Sequence, residues 1–298
     1  MKILCMSDLH LSSVRPMCRT DEDWVATQQE HLDYVLNYVK DKQIDYMVIA
    51  GDIFDTHTVP PVIINMMLQF ILNIRALDCE VYIIAGNHDL PYKNTERMFN
   101  SSFGALSLLP NCNERFFDCY HYGEDHGSET DRTVILHHFA VQDEQHRPPM
   151  RECVTADELF TSYPNSRLII VGDNHESWYV KNKNRYIINC GTFIQRTAAE
   201  AKRPCGFWIV DSSEIAPTYV DLSFLSEGKI DTSYLEDIKE REENRGQYEA
   251  LLSELRDGVE NKYDFVALLN EYVETHKKDM GEVTYNILME TLNYIRSK

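Results

Sequence analysis

The sequence contains no run of about 18 apolar residues, which excludes a transmembrane helix. It also contains no Cys-x-x-Cys pair. The cysteines are scattered at Cys5, Cys18, Cys79, Cys112, Cys119, Cys153, Cys190 and Cys205, which argues against a thiolate zinc site or a redox dithiol. No basic stretch leads into an apolar segment at the start, so no secretory leader is expected, and the thiols read as reduced in a cytoplasmic setting. Basic residues are scarce, 29 Lys and Arg against 48 Asp and Glu, for a net charge of −19. That disfavours broad, unaided binding to polyphosphates, because nonspecific nucleic-acid affinity comes largely from Lys and Arg. It does not exclude a nuclease, since bound divalent cations can dominate the local potential. Internal repeats and low-complexity tracts are absent. The 298 residues suffice for one large domain with its own core and a smaller appendage.

What the sequence does contain is one construction repeated: an apolar strand running into metal-type residues. The run Lys2-Ile3-Leu4-Cys5-Met6-Ser7 ends in Asp8-Leu9-His10. Strand side chains alternate, so residues two apart are aimed the same way. Residues 44–50 run into Gly51-Asp52-Ile53-Phe54-Asp55, and residues 81–84 into Ala85-Gly86-Asn87-His88-Asp89. Residues 133–136 lead to His137-His138, and residues 167–171 to Gly172-Asp173-Asn174-His175-Glu176. Between them, residues 24–40 read as a helix burying Trp24, Val25, Leu32, Val35, Leu36 and Val39, with His31 at the surface. A second helix starts at Pro60-Pro61 and buries Ile63, Ile64, Met67, Leu68, Ile71 and Leu72. Residues 179–189 look like a hairpin, and 207–210 and 219–222 like further strands. This is an α/β pattern, strand-rich in its second half.

The loop at 11–23 is either a ligand loop beyond a strand's carboxyl end, with Arg15 and Arg19 as candidates to reach a phosphate, or simply a solvated loop. His121 and His126 lie in a polar loop with no assigned role. A boundary falls near Ser223. Residues 1–222 form the first domain, and 223–298 a region with helical periodicity at 234–255, 263–276 and 283–295. That region is a candidate cap or partner-binding segment.

Collected, the strand-end residues are Asp8, His10, Asp52, Asn87, His88, His137, Asp173 and His175. Carboxylate and amide oxygens mixed with imidazole suit Mn²⁺, Fe²⁺ or Zn²⁺. The set is large enough for two ions, and the natural target of a two-metal site is a phosphoester. His137 and His138 are strand neighbours, so only one of them faces the site.

The order D-x-H, G-D, G-N-H-D, H and G-x-x-H resembles the calcineurin-like metallophosphoesterase family. Here it is written Asp8-Leu9-His10, Gly51-Asp52, Gly86-Asn87-His88-Asp89, His137 and Gly172-Asp173-Asn174-His175. Ser7-Asp8-Leu9-His10-Leu11, Gly51-Asp52-Ile53-Phe54-Asp55 with Pro60-Pro61, and Ala85-Gly86-Asn87-His88-Asp89 are similar to SbcD-type DNA-repair nucleases. Gly191-Thr192 and Arg203-Pro204-Cys205-Gly206-Phe207-Trp208 resemble that branch too, phage recombination nuclease subunits especially.

The resemblance implies a sandwich of two β-sheets flanked by helices, with the site at the strand ends. It implies that Asp8, His10 and His175 hold a first ion, that Asp52 bridges, and that Asn87, His137 and Asp173 hold a second. His88 would face the scissile phosphate without binding metal. The ions would be two divalent cations, Mn²⁺ by preference, and the substrate DNA in repair or recombination. An SMC-like coiled-coil ATPase would be the partner, and a homodimer is common in the family. Arg196 and Arg203 are candidates for contact with DNA phosphates, against the plainer reading of exposed arginines with no specific role. Two features depart from the family. Asp173 stands where a histidine is usual, and the C-terminal part looks helical rather than mixed α/β. A phosphodiesterase or phosphatase acting on a small nucleotide, and a scaffold with a weakened metal site, are the competing readings.

Overall fold

A computed structural model describes residues 1–109, 116–124, 127–148, 152–211 and 216–233, with Tyr285 and Met289, both helical. Cys112, His126 and otherwise the helices expected beyond residue 233 lie outside the described residues. The chain divides into two compact units, Met1–Asp231 and Thr232–Lys298.

Lys2–Met6 (β1), Tyr46–Ala50 (β2) and Glu80–Ile84 (β3) are each fully buried over their last four residues. Short apolar runs with no polar face suit parallel strands covered on both sides, and β1, β2 and β3 pair in parallel. Between them run the helices Trp24–Lys42 (α1) and Pro61–Arg75 (α2). The Asp23 side chain accepts the Ala26 N–H and caps α1, and Pro61 starts α2 at a position where a missing N–H costs nothing.

Ser102–Ser107 (α3) follows β3. Then come Phe117–Tyr120 (β4), Thr133–His137 (β5), Ala140–Val141 (β6) and Val154–Thr155 (β7). Ala156–Ser162 (α4) starts at a capping box formed by Thr155 and Glu158. Leu168–Gly172 (β8), Trp178–Asn182 (β9), Arg185–Asn189 (β10), Gly206–Asp211 (β11) and Thr218–Asp221 (β12) complete the set. One sheet has the order β12-β11-β1-β2-β3 and the other β4-β5-β8-β10-β9, with β6 and β7 as a small separate pair.

Alternation along each strand builds three apolar seams. Ile3, Cys5, Val48, Ala50 and Ile84 of the first sheet meet Ile135, Ile170 and Ile188 of the second. The opposite face of the first sheet, Leu4, Met6, Met47, Ile49 and Ile83, packs on α1 and α2. The opposite face of the second, Val134, Leu136, Ile169 and Val171, packs on Leu159 and Phe160 of α4. The result is helix, sheet, sheet and helix in four layers. No helix of the described residues is long and apolar enough to cross a membrane.

Three expectations are corrected here. His31 is buried rather than at the surface, because the inner stripe of α1 also takes in Thr27 and Gln28. Leu72 is 49% exposed; the face of α2 that turns inward carries Met66, Phe70 and Ile74 with Ile63, Met67 and Ile71. Leu72 follows Asn65 by seven residues and Gln69 by three, so helical spacing puts it on the polar, outward stripe of α2 despite its apolar side chain. Arg19 does not reach into a ligand loop. It is 1% exposed, bound through Nε and Nη2 to both Asp21 oxygens and through Nη1 to Gln195 O and Ser226 Oγ. Ser226 belongs to the turn Ser223–Ser226, which this contact fastens to the rest of the first unit. Arg15 donates to the Asp21 carbonyl, and His121 Nδ1 accepts the Ala85 N–H at 2.8 Å.

Candidate metal centre

The carboxyl ends of β1, β2 and β3 are stitched together by main-chain bonds beyond the sheet. Asp8 N–H donates to Gly51 O at 3.1 Å and His10 N–H to Asp52 O at 2.9 Å. Asp89 is fully buried and accepts N–H groups from Ile53 at 3.1 Å, Phe54 at 2.9 Å and Gly86 at 2.9 Å. It clamps the β2 turn to the β3 turn and leaves no free oxygen pair for a ligand. Asp8, His10, Asp52 and Asp173 all have positive φ, 52°, 46°, 50° and 85°. Non-glycine residues held there carry strain, and such strain collects at functional sites.

These turns bring seven of the eight sequence-derived residues into one donor cluster, with His88 beside it. His10 Nε2 lies 3.9 Å from Asp8 Oδ1 and 3.8 Å from Asp52 Oδ2. His175 Nε2 lies 3.8 Å from the same Asp8 oxygen and 3.3 Å from His10 Nε2. On the other side of Asp52, His137 Nε2 is 3.5 Å from Asp52 Oδ2, 3.2 Å from Asn87 Oδ1 and 3.9 Å from Asp173 Oδ1. Asp52 thus touches both groups. Atoms bound to one ion at about 2.0–2.2 Å lie roughly 3–3.5 Å apart, so small inward shifts would bring each group to a cation. His137 is fully buried in the cluster, while His138 is half-buried outside it.

The imidazoles are set for the task. His137 Nδ1 donates to Ala50 O at 2.8 Å, and His175 Nδ1 donates to Glu200 Oε1 at 2.7 Å. A proton fixed on Nδ1 leaves the Nε2 lone pair for a metal. Two divalent cations therefore fit the residues present, by donor type, spacing and tautomer.

The electrostatics agree. Burial alone would push the His137 imidazole down, but the Asp52 carboxylate, with Asp8 and Asp173, overrides it and pushes it up to about 10. Burial pushes the Asp8 carboxyl up to about 6, against the pull of His175 and His137. Burial would also raise Asp52, but His137, His10 and His88 hold it well below the usual carboxylate range. The pocket thus stabilises positive charge at its centre, as a cation site must. His10 goes the other way: burial drives it well below the ordinary imidazole range, so it presents a neutral ring.

His88 is exposed and stands edge-on to His10, ring centroids 4.8 Å apart. Its N–H donates to Asp52 Oδ1 at 2.8 Å and its Nδ1 to Asp55 O at 2.7 Å. The Asp55 carboxylate pairs with Arg196. His10, Asp55 and His88 are close enough to form a third trio, but these bonds already engage His88 Nδ1 and Asp55. A cavity of about 590 Å³ opens over the cluster, lined by His10, Asn87, His88, Asp173 and His175. Arg196, Arg203, Phe139, Val141 and Trp178 are among the other residues of its walls. Arg203 is paired with Glu176 at 3.0 Å.

Sequence reasoning did not find Glu200, Asp55 or Asp89 as supports. Thr197-x-x-Glu200 is legible as a capping box, but nothing local reveals that the second carboxylate oxygen reaches His175.

Residues 1–193 match the family described as calcineurin-like phosphoesterase. The SbcD component of the SbcCD nuclease of Escherichia coli (strain K12) is 34% identical over 89 residues, 30% of this chain and 21% of that protein. Exonuclease subunit 1 of Enterobacteria phage T4 is 33% identical over 116 residues, 37% of this chain and 32% of that protein. The chain is therefore aligned with less than a third of the length of either relative. A dimetal phosphatase from Danio rerio superposes with a TM-score of 0.46 at 11% identity, covering 70% of this chain and 91% of that one.

Proposed function

The chain belongs to the calcineurin-like phosphoesterase family, and on that premise we propose that it is a metal-dependent DNA nuclease subunit. The observation that carries this reading is the donor cluster: Asp52 sits between an Asp8–His10–His175 group and an Asn87–His137–Asp173 group. In this reading the first group holds one ion, the second group another, and Asp52 both. A nucleic-acid substrate is supported by relatives that are named as nuclease subunits, and DNA by the resemblance of the strand-end motifs to SbcD-type DNA-repair nucleases.

Two divalent cations, Mn²⁺ by preference, supply Lewis acidity toward a phosphoryl group and acidify water near neutral pH. The chain's own residues do the rest. His88 donates Nδ1–H to the Asp55 carbonyl, so its Nε2 can give a proton to the leaving oxygen of the phosphodiester only from the imidazolium form, which ends as the neutral Nδ1–H ring. Arg196 and Arg203 line the cavity and meet the phosphates flanking the scissile one. Phe139, Val141 and Trp178 offer apolar surface to a sugar or base.

Residues 1–222 are proposed as the catalytic domain. Residues 223–298 are proposed as the segment that binds an SMC-like coiled-coil ATPase, in keeping with relatives that are named as subunits of larger nucleases. Homodimerisation and a cytoplasmic setting belong to the same reading. The acidic surface, with its net charge of −19, favours a second reading, hydrolysis of a small nucleotide phosphodiester.

The test is degradation of linear single- and double-stranded DNA by the purified chain in Mn²⁺, with EDTA and Asp8→Ala as controls. Loss of DNA that requires both the ion and Asp8 is expected. Intact DNA together with hydrolysis of bis(p-nitrophenyl) phosphate would favour the small-substrate reading. Inactivity on both, with and without a coiled-coil ATPase partner, would overturn the enzyme reading.

A further inference from the structure

Glu200 is 4% exposed and closes the short turn Ala198–Glu200. Its two carboxylate oxygens have separate tasks. Oε2 accepts the main-chain N–H groups of Arg196 at 2.7 Å and Thr197 at 3.0 Å, which is half of a capping box with Thr197. Oε1 accepts from His175 Nδ1 at 2.7 Å. An ionised carboxylate has acceptors only, so a neutral His175 facing it must carry its proton on Nδ1. The lone pair then sits on Nε2, 3.8 Å from Asp8 Oδ1 and 3.3 Å from His10 Nε2.

We infer that Glu200 is a positioning residue that holds His175 in the tautomer and orientation needed to take a divalent cation at Nε2. The inference rests on the reading of His175 as a metal ligand. It assigns to one buried side chain both the shape of the loop carrying Arg196 and the coordinating state of His175.

The two tasks separate by substitution. In Glu200→Gln the side chain has one acceptor oxygen and one NH₂ group. Two main-chain N–H groups converge on the Oε2 position, so the oxygen stays there and the turn is kept. The NH₂ group is then left facing His175 Nδ1. It can only donate, which drives the imidazole proton onto Nε2 and removes the lone pair from the cluster. In Glu200→Ala a water replaces the carboxylate and accepts from Nδ1, so the coordinating tautomer survives with a looser ring. A purely structural role predicts that Ala is the more damaging change; positioning predicts that Gln is.

The experiment uses the full chain. Mn²⁺ is titrated calorimetrically into wild type, Glu200→Gln and Glu200→Ala, with Asp8→Ala as control. Imidazole tautomers are read by long-range ¹H–¹⁵N correlation in the metal-free protein, at a pH raised until the ¹⁵N shifts of His175 show a neutral ring. The expected result is an Nδ1–H signature for His175 in wild type and Nε2–H in Glu200→Gln. One of the two ions should weaken by about 10–100-fold in Glu200→Gln, and by less in Glu200→Ala. Wild-type affinity with Nδ1–H retained in Glu200→Gln, or a larger loss in Glu200→Ala, would overturn the inference. If Glu200→Ala does not fold, the tautomer and affinity of Glu200→Gln decide alone. Mn²⁺ uptake by wild type no better than by Asp8→Ala would instead overturn the metal-site reading, and this inference with it.

Discussion

Gly51 leaves the space that His137 fills: a Cβ on Gly51 would stand 2.3 Å from His137 Nδ1, at a φ of +91°. The absent side chain just past β2 and the imidazole at the end of β5 are thus complementary across the seam between the sheets. Gly51→Ala should push His137 out of the cluster and strain the turn, at a cost of about 2–3 kcal/mol in stability. Urea denaturation would measure the loss, and Mn²⁺ titration should show one ion weakened more than the other.

The neighbouring turn has the same economy of space. A Cβ on Gly86 would fall 2.2 Å from Asp52 Oδ1, the oxygen that accepts the His88 N–H. Gly86→Ala is therefore expected to disturb both ions together, since Asp52 lies between the groups. Equal weakening of both in the same titration would show this; selective loss of one would contradict the shared position of Asp52.

His88→Ala should leave Mn²⁺ stoichiometry unchanged and lower DNA cleavage by about 10²–10⁴-fold, the range for removing a positioned proton donor. The bond from His88 Nδ1 to Asp55 O would vanish, but no metal donor would. Cleavage at the wild-type rate with full metal occupancy would remove His88 from the reaction.

His31 predicts an acid-sensitive fold away from the metal centre. Burial holds its imidazole down at about 4, with its Nδ1 on the Thr27 carbonyl. The unfolded chain takes up this proton near pH 6.5, before the folded one does, so stability is complete above that pH and falls as the pH drops toward 4. The difference corresponds to about 3 kcal/mol. His31→Leu should flatten this limb of a stability–pH curve; a parallel curve would show that His31 is not its source.

Arg19→Ala should act on folding and not on substrate. The change strands the Asp21 carboxylate, 5% exposed, without the guanidinium that binds both its oxygens. Removing one partner of a buried pair typically costs about 3–5 kcal/mol. The folded fraction of the variant should bind DNA as wild type does, measured in Ca²⁺ to prevent turnover.

How far the chain could be read before folding depends on which interactions are local. The strand ends were legible because a buried apolar run, a glycine and a ligand-type residue are consecutive, as in Ile83-Ile84-Ala85-Gly86-Asn87-His88. The choice of His137 over His138 rests on the family resemblance, since alternation says only that the two diverge; the sheet buries His137 in the cluster. Arg19 was misleading because its partners are dispersed: Asp21 is near in sequence, but Gln195 and Ser226 are not. Glu200 was invisible for the same reason, lying 25 residues from the histidine it orients. Leu72 misleads by residue type alone, since it shares the outward stripe of α2 with Asn65 and Gln69.

Each proposed ion would draw its donors from both sheets: Asp8, His10 and Asp52 with His175 for one, Asp52 and Asn87 with His137 and Asp173 for the other. The cations would then act as rivets through the rim where the two layers meet, in a place crowded with negative charge and backbone strain. Chelation would loosen the sandwich itself, so resistance to heat should climb with free Mn²⁺ by mass action on the folded state. In this molecule the ions that cut would also be the ions that hold the rim of the blade closed.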